Sequence, residues 1–142
     1  MTSSTGSHDH TTRGRSINQT VALAFGAIYT LVGLAGFFVS DTFAGTEDNT
    51  LLGFEVNNLH NIVHLLIGVA LIAASRRHDS ARGANLAIGV TYLALAVLGP
   101  FIDDTEANIV ALNGADHVLH LLSGAVLTAV ALLADKRART HA

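Results

Sequence analysis

The chain contains four long apolar segments, and these segments constrain its fold more than any other feature. Each has about 19 to 23 residues, which is enough for an α-helix to cross a hydrocarbon core of about 30 Å. Charged residues make up only 13% of the chain, about half of the share in a typical soluble domain. We therefore predict an integral membrane protein with spans at about 17–39, 56–75, 84–102 and 113–134.

The connectors between the spans are short, and short connectors favour antiparallel neighbours. The predicted fold is therefore an all-α, four-transmembrane-helix bundle with up-down-up-down topology, formed by residues 17–134. Residues 1–16 are polar and are expected to form a disordered tail, and residues 135–142 form a second tail.

The charges of the connectors predict how the bundle is oriented. All eight Lys and Arg residues lie before the first span, between the second and third spans, or after the fourth. The other two connectors contain acidic residues and no basic ones. Under the positive-inside rule, both termini are cytoplasmic and the acidic connectors face outward. The basic loop at Arg76 and Arg77 is explained by topology and lipid contact, so we expect the lipid bilayer and no nucleic acid as a partner.

The two halves of the chain form an internal two-helix repeat. Two glycines and a tyrosine of the first span recur in the third at an offset of 63 residues (89 − 26): Gly26, Tyr29 and Gly36 match Gly89, Tyr92 and Gly99. The beginnings of the second and fourth spans match at an offset of 56 (113 − 57). Both halves enter the membrane from the same side, so the repeat predicts a pseudo-two-fold axis along the membrane normal.

A polar stripe opens the second and fourth spans and follows one helix face in each. Its members are Asn57, His60, Asn61 and His64 in the second span and Asn113, Asp116, His117 and His120 in the fourth. Polar groups at membrane depth are costly, so the stripes should face the bundle interior in its outer half. Tyr29 and Tyr92 lie about one helical turn deeper, and their hydroxyls are expected to reach the same pocket.

Three interpretations of this pocket are open. In the first, hydrogen bonds among its side chains only organise the bundle. In the second, it binds haem b or a divalent metal, and the repeat favours His64 and His120 as the ligands. Gly68 and Gly124 would then leave room for the haem or simply pack helices, and Asp116 would orient the His120 ring. In the third, the pocket belongs to a proton or ion path, although the spans are apolar below it, which favours a pocket open only to the outside.

The sequence offers little support for an enzyme. It contains no nucleophile elbow, glycine-rich phosphate loop, dinucleotide-binding fingerprint or H-E-x-x-H motif. It has no Cys, and its only Met is the first residue, which argues against a Cu(I) site. We therefore predict a membrane protein whose polar pocket is structural or binds a small ligand or ion.

The doubled pattern N-x-x-H-x-x-x-H-L-x-x-G and N-x-x-D-x-x-x-H-L-x-x-G resembles the domain-of-unknown-function family numbered 4383. The resemblance covers the four spans, about Ile17 to Ala134. Its most specific positions are Asn57, His60, His64, Gly68, Asp116, His120 and Gly124. It implies a small four-span protein of the bacterial cell (inner) membrane, and it implies no activity. His117 stands where the family would have Asn, so a four-histidine site would be particular to this chain.

Overall fold

A computed structural model describes residues 14–46 and 49–135, and within them the chain folds mainly as four α-helices, which confirms the all-α class. Most of both predicted tails lies outside the described residues. The helices are α1 (Ile17–Gly36), α2 (Asn58–Ala74), α3 (His78–Leu98) and α4 (Gly114–Leu133). We call the end of the bundle that carries the α1–α2 and α3–α4 connectors the loop end, and the opposite end the terminal end.

The third helix differs most from its predicted span. It begins at His78 and not near residue 84, because the polar turn before the apolar segment is also helical. It ends at Leu98 and is followed by a 3-10 turn at Gly99–Phe101. Pro100 lies in this turn, where the proline ring no longer clashes with an α-helical carbonyl.

The α1–α2 connector contains a β-hairpin that the sequence analysis did not predict. Strand β1 (Thr50–Leu51) pairs antiparallel with strand β2 (Phe54–Glu55). The two residues between them, Leu52 and Gly53, have φ values of 55° and 92°, as a tight two-residue hairpin turn requires. This connector is the longer of the two at the loop end, and the hairpin occupies the additional length.

The surface of the helices is suited to lipid. Three helices are long and apolar enough to cross a membrane: α1, α4, and α3 together with its 3-10 turn. Helix α2 is apolar but shorter, with 17 residues. Large side chains such as Leu31, Leu66 and Leu133 are 66%, 66% and 69% exposed, which is typical of a surface in contact with hydrocarbon. The chain is therefore a membrane protein.

The helices pack as two tight pairs, α1 with α2 and α3 with α4, and the pairs meet through contacts of α3 with both α1 and α2. Glycines allow this close approach. A Cβ atom at Gly26 would lie 2.9 Å from the carbonyl oxygen of Gly68, and one at Gly124 would lie 2.9 Å from the carbonyl oxygen of Gly89. These two contacts are equivalent in the internal repeat, so both halves use the same small-residue packing.

At the terminal end, the last described residue holds the start of the first helix. Asp135 accepts hydrogen bonds from the backbone N–H groups of Ile17 (3.2 Å) and Asn18 (3.1 Å) and from the Asn18 side chain (2.9 Å). Ser16 also caps this helix and its hydroxyl contacts His78. Ser16 and Asp135, which the sequence analysis assigned to the tails, therefore contribute to the packed end of the bundle.

We expect Gly26→Ala to destabilise the protein by about 1–3 kcal/mol, because the added methyl group would meet backbone atoms of α2 that cannot move aside. Gly83→Ala is the matched control, since Gly83 is exposed on α3 and a Cβ there meets nothing within 4 Å. Its free energy of unfolding should be unchanged or higher by up to about 1 kcal/mol. Unfolding of both variants in mixed detergent micelles measures their free energies of unfolding. Equal changes in the two variants would contradict the close contact of α1 with α2 at Gly26.

A second prediction concerns the pH dependence of stability. Burial acts to raise the pKa of Asp135, but the hydrogen bonds from Asn18 and Ile17 outweigh it and hold the pKa below its ordinary value. Such a carboxylate stabilises the fold above its unfolded pKa, and this contribution is lost as the pH falls through the folded pKa. Asp135→Asn should therefore lower the melting temperature at pH 7 and reduce its dependence on pH in the acid range. A variant with the acid-range profile of the wild type would contradict this role.

Candidate functional site

The asparagines that begin the two polar stripes are helix caps. Oδ1 of Asn57 accepts from the backbone N–H of His60 at 2.8 Å, and Oδ1 of Asn113 accepts from that of Asp116 at 3.1 Å. The two side chains also fasten the connectors, because Nδ2 of Asn57 donates to the carbonyl of Ile109 and Nδ2 of Asn113 to that of Gly53. The repeat thus assigns both asparagines the same structural role.

The next pair of equivalent residues, Asn61 and His117, faces the neighbouring helix of its own pair. A Cβ atom at Gly36 would overlap the Asn61 amide, and one at Gly99 would overlap the His117 ring. The His117 ring is hydrogen-bonded through Nε2 to the carboxylate of Asp103 at 2.8 Å. Both residues therefore fill space that the equivalent glycines leave open.

The three remaining histidines of the stripes lie together in what we call the three-histidine cluster. One ring nitrogen from each of His60, His64 and His120 lies within 4.8 Å of the other two. All three side chains are buried, with exposed fractions of 3%, 5% and 3%. His60 and His64 come from adjacent turns of α2 and His120 comes from α4, so the cluster joins the two helix pairs.

Two buried tyrosines from α1 and α3 adjoin the cluster. The ring of Tyr29 stacks on His64 with 5.5 Å between centroids, and the ring of Tyr92 lies 4.6 Å from that of His120. The two tyrosine rings meet edge to face at 5.5 Å. Residues that are equivalent in the repeat therefore make equivalent contacts.

The polar atoms of this group are incompletely paired. The Nδ1 atoms of all three clustered histidines and the hydroxyls of both tyrosines are buried and have no hydrogen-bond partner among residues 14–46 and 49–135. Leaving one buried polar group without a partner costs about 1–3 kcal/mol, and such groups are normally paired. These imidazole nitrogens and phenol oxygens are therefore unpaired within the described residues, as are the amide atoms of Asn61 and Nδ1 of His117.

Two small cavities adjoin the cluster. The first has about 40 Å³ and is lined by the three histidines together with Tyr92. The second has about 70 Å³, lies against the β-hairpin, and is lined by His60, His64 and Asp116. One water molecule needs roughly 10–15 Å³ of such space, so each cavity has room for a small ion or a few waters.

A larger acidic groove of about 840 Å³ opens at the loop end. Its lining includes four acidic side chains, those of Glu55, Asp103, Asp104 and Glu106. Leu112 lines both this groove and the smaller of the two cavities, so the two spaces are adjacent. A concave surface with this charge raises the local concentration of cations.

The structure brings together five of the residues expected in the pocket: His60, His64, His120, Tyr29 and Tyr92. His60, which was not an expected metal ligand, belongs to this group, whereas His117 is turned to Asp103. Asp116 does not orient the His120 ring as expected, because its carboxylate accepts the backbone N–H of Asn113 instead.

Gly68 and Gly124 do not leave room for a haem. A Cβ atom at Gly68 would lie 2.8 Å from the carbonyl oxygen of Gly26, and one at Gly124 would lie 2.9 Å from the backbone nitrogen of Leu93. Both glycines therefore serve helix packing, which was the alternative that the sequence analysis kept open.

Two features of the site were not predicted from the sequence. Asp103 is the partner of His117, and Phe54 of the hairpin together with the adjoining Val56 lines the larger of the two small cavities. No local signal marks Asp103, because 14 positions separate it from its partner. The hairpin lacks a strong turn signature, since a leucine occupies the first position of its turn.

Comparison with known proteins gives one match. The family model described as Domain of unknown function (DUF4383) matches residues 19–133, which include nearly all of the four helices and both polar stripes. No curated protein and no solved structure matches the chain. Because the match covers most of the sequence and confirms the resemblance of the repeated motif, the chain belongs to the DUF4383 family.

Proposed function

We propose that this protein is a four-span protein of the bacterial inner membrane that binds one divalent transition-metal ion in the outer half of its bundle. His60, His64 and His120 are the proposed ligands. The observation that carries the proposal is the convergence of three buried imidazoles from two helices on one point. Imidazole is the commonest protein ligand for such metals.

A purely structural role explains the cluster less well. Polar residues that stabilise a membrane bundle do so by hydrogen-bonding one another across helices. Within the described residues, the clustered histidines make no such bond through Nδ1, and the two tyrosine hydroxyls are also unpaired. By contrast, Asn57 and Asn113 each satisfy a backbone group, whereas Asn61, which packs beside Gly36, is unpaired like the cluster.

The ligand chemistry narrows the choice of metal. Three imidazoles suit Zn²⁺, Cu²⁺, Ni²⁺ and Co²⁺, whereas Mg²⁺ and Ca²⁺ prefer oxygen ligands. Zn–N bonds are about 2.0–2.1 Å long, so two nitrogens on one tetrahedral zinc ion lie roughly 3.4 Å apart. The cluster nitrogens lie within 4.8 Å of one another, so side-chain rotations would have to bring them closer together.

Haem b fits the site poorly. The cavities beside the cluster have about 40 and 70 Å³, which is room for an ion and not for a macrocycle. The space next to His64 and His120 is filled by the rings of Tyr29 and Tyr92. A bare ion needs no such space.

Transport through the bundle is also less well supported than binding. Between the cluster and the terminal end, the interior contains apolar side chains such as Ala22, Leu71 and Leu127, each 0% exposed. Ser123 and Thr128 are the polar side chains of α4 within this layer, and the buried pair Asn18 and Asn85 lies beyond it near the terminal end. A binding site that communicates only with the loop end fits this arrangement.

The metal proposal predicts about one Zn²⁺ or Co²⁺ per chain in protein purified in detergent with a tag free of histidine. His8 and His10 should be replaced by Ala in every sample, because an H-x-H pair binds metal by itself. Each of His60→Ala, His64→Ala and His120→Ala should weaken binding by about tenfold or more, measured by titration calorimetry and metal analysis.

His117→Ala is the matched control, since His117 is buried on the same helix as His120 but is bonded to Asp103. It should keep the metal affinity of the parent protein. A metal excess of 100 times Kd should also stabilise the parent by about 2.7 kcal/mol, and the cluster variants much less. A parent protein that binds no metal, or a His117→Ala loss equal to that of His64→Ala, would refute the proposal.

The proposed orientation has a separate test. A reporter fused after Ala142 should behave as cytoplasmic, and one inserted between Thr46 and Asn49 should behave as external. A third fusion between Arg77 and His78 should be cytoplasmic if α2, with its 17 residues, crosses the membrane. An external signal from that third site would exclude a four-span topology.

A further inference from the structure

We propose that Asp116 is the fourth ligand of the same metal ion, so that the complete site has three imidazoles and one carboxylate in tetrahedral geometry. This inference rests on the proposed metal-binding function. Asp116 contributes to the capping of α4 by accepting the backbone N–H of Asn113. Neither that contact nor the family match assigns it a role as a metal ligand.

The internal repeat is the first argument. At the offset of 56 residues, His64 corresponds to His120 (120 − 64) and His60 corresponds to Asp116 (116 − 60). A pseudo-two-fold axis that relates His64 to His120 therefore also relates His60 to Asp116. Three members of this set of four converge in the structure, whereas the carboxylate of Asp116 lies outside that group, so a side-chain rotation would have to bring it to the ion.

The position of the carboxylate is the second argument. Asp116 is 2% exposed and lines the cavity of about 70 Å³ together with His60 and His64. It also lies four residues before His120 on α4, as His60 lies before His64 on α2. Two side chains at this spacing point to the same face of a helix and can bind one ion.

The hydrogen bonds of Asp116 leave it able to bind. One oxygen, Oδ2, accepts the backbone N–H of Asn113 at 3.1 Å. The other oxygen takes part in no hydrogen bond with the described residues, so the carboxylate can keep its capping bond and still bind a metal ion. The cap also holds the side chain at the start of α4, which restricts its position.

Charge balance is the third argument. Three neutral imidazoles would leave the full double charge of the cation in a buried site, where charge is costly. The acidic groove at the loop end attracts cations, but none of its four acidic side chains lines either small cavity. Asp116 is a buried acidic residue that shares a cavity with the histidines, so it is placed to neutralise part of this charge.

The test compares Co²⁺ binding by the detergent-purified full chain and its variants, because the visible absorption of Co²⁺ reports coordination number and ligand type. Asp116→Asn keeps an oxygen for the helix cap but removes the charge. We expect it to bind Co²⁺ about tenfold or more weakly and to change the spectrum from that of a four-coordinate N₃O site. Asp116→His should restore tight binding with a four-coordinate spectrum, because it places at this position the residue type found at His60.

Asp103→Asn is the control for the loss of a nearby negative charge. Asp103 is not a proposed ligand, and it contacts His117, which follows Asp116 on α4. It should leave the Co²⁺ spectrum unchanged. If the parent binds Co²⁺ and Asp116→Asn binds it with the same affinity and spectrum, the fourth ligand is not Asp116 and this inference fails alone. The inference also fails if Asp116→His binds Co²⁺ no more tightly than Asp116→Ala. If the parent protein binds no metal, both this inference and the proposed function fail.

Discussion

The structure depends on the close approach of helix backbones at two equivalent glycine pairs. Gly26 meets Gly68, and Gly89 meets Gly124, at distances where a Cβ atom would collide with the partner backbone. In a bilayer, helices gain little from burying apolar surface against each other, so close van der Waals contact must hold them together. This contact sets the separation within each helix pair, and it thereby brings Tyr29 against His64 and Tyr92 against His120.

The internal repeat explains why the polar residues divide into groups with different roles. Equivalent positions behave alike: the two asparagine caps fasten the connectors, and Asn61 and His117 fill the space beside equivalent glycines. The repeat is broken at two adjacent pairs of positions, His60 with Asp116 and Asn61 with His117. Equivalent positions of the pocket therefore hold different side chains without a change in the glycine contacts that pack the helices.

Unpaired buried polar atoms of the described residues are concentrated toward the loop end, although Oδ1 of Asn85 at the terminal end is also unpaired. At the terminal end, Asn18 bonds both Asn85 and Asp135. The clustered histidines and tyrosines, by contrast, retain unpaired atoms within the described residues, and the free energy of that deficit is available to a ligand. This concentration of unpaired atoms supports the proposed binding site in addition to the convergence of the three imidazoles.

Much of this could be predicted from the sequence, because apolar length, helical periodicity and the repeat depend on local chemistry. These features determined the four helices, the placement of the polar residues on one face, and the equivalence of His64 and His120. Only the tertiary structure decided which polar residues meet. Successive residues are about 100° apart on a helix, so Asn61 faces α1 while His60 and His64 face the space next to α4. The roles of His117 and Asp103 likewise depend on a contact between a helix and a connector, which no helical period encodes.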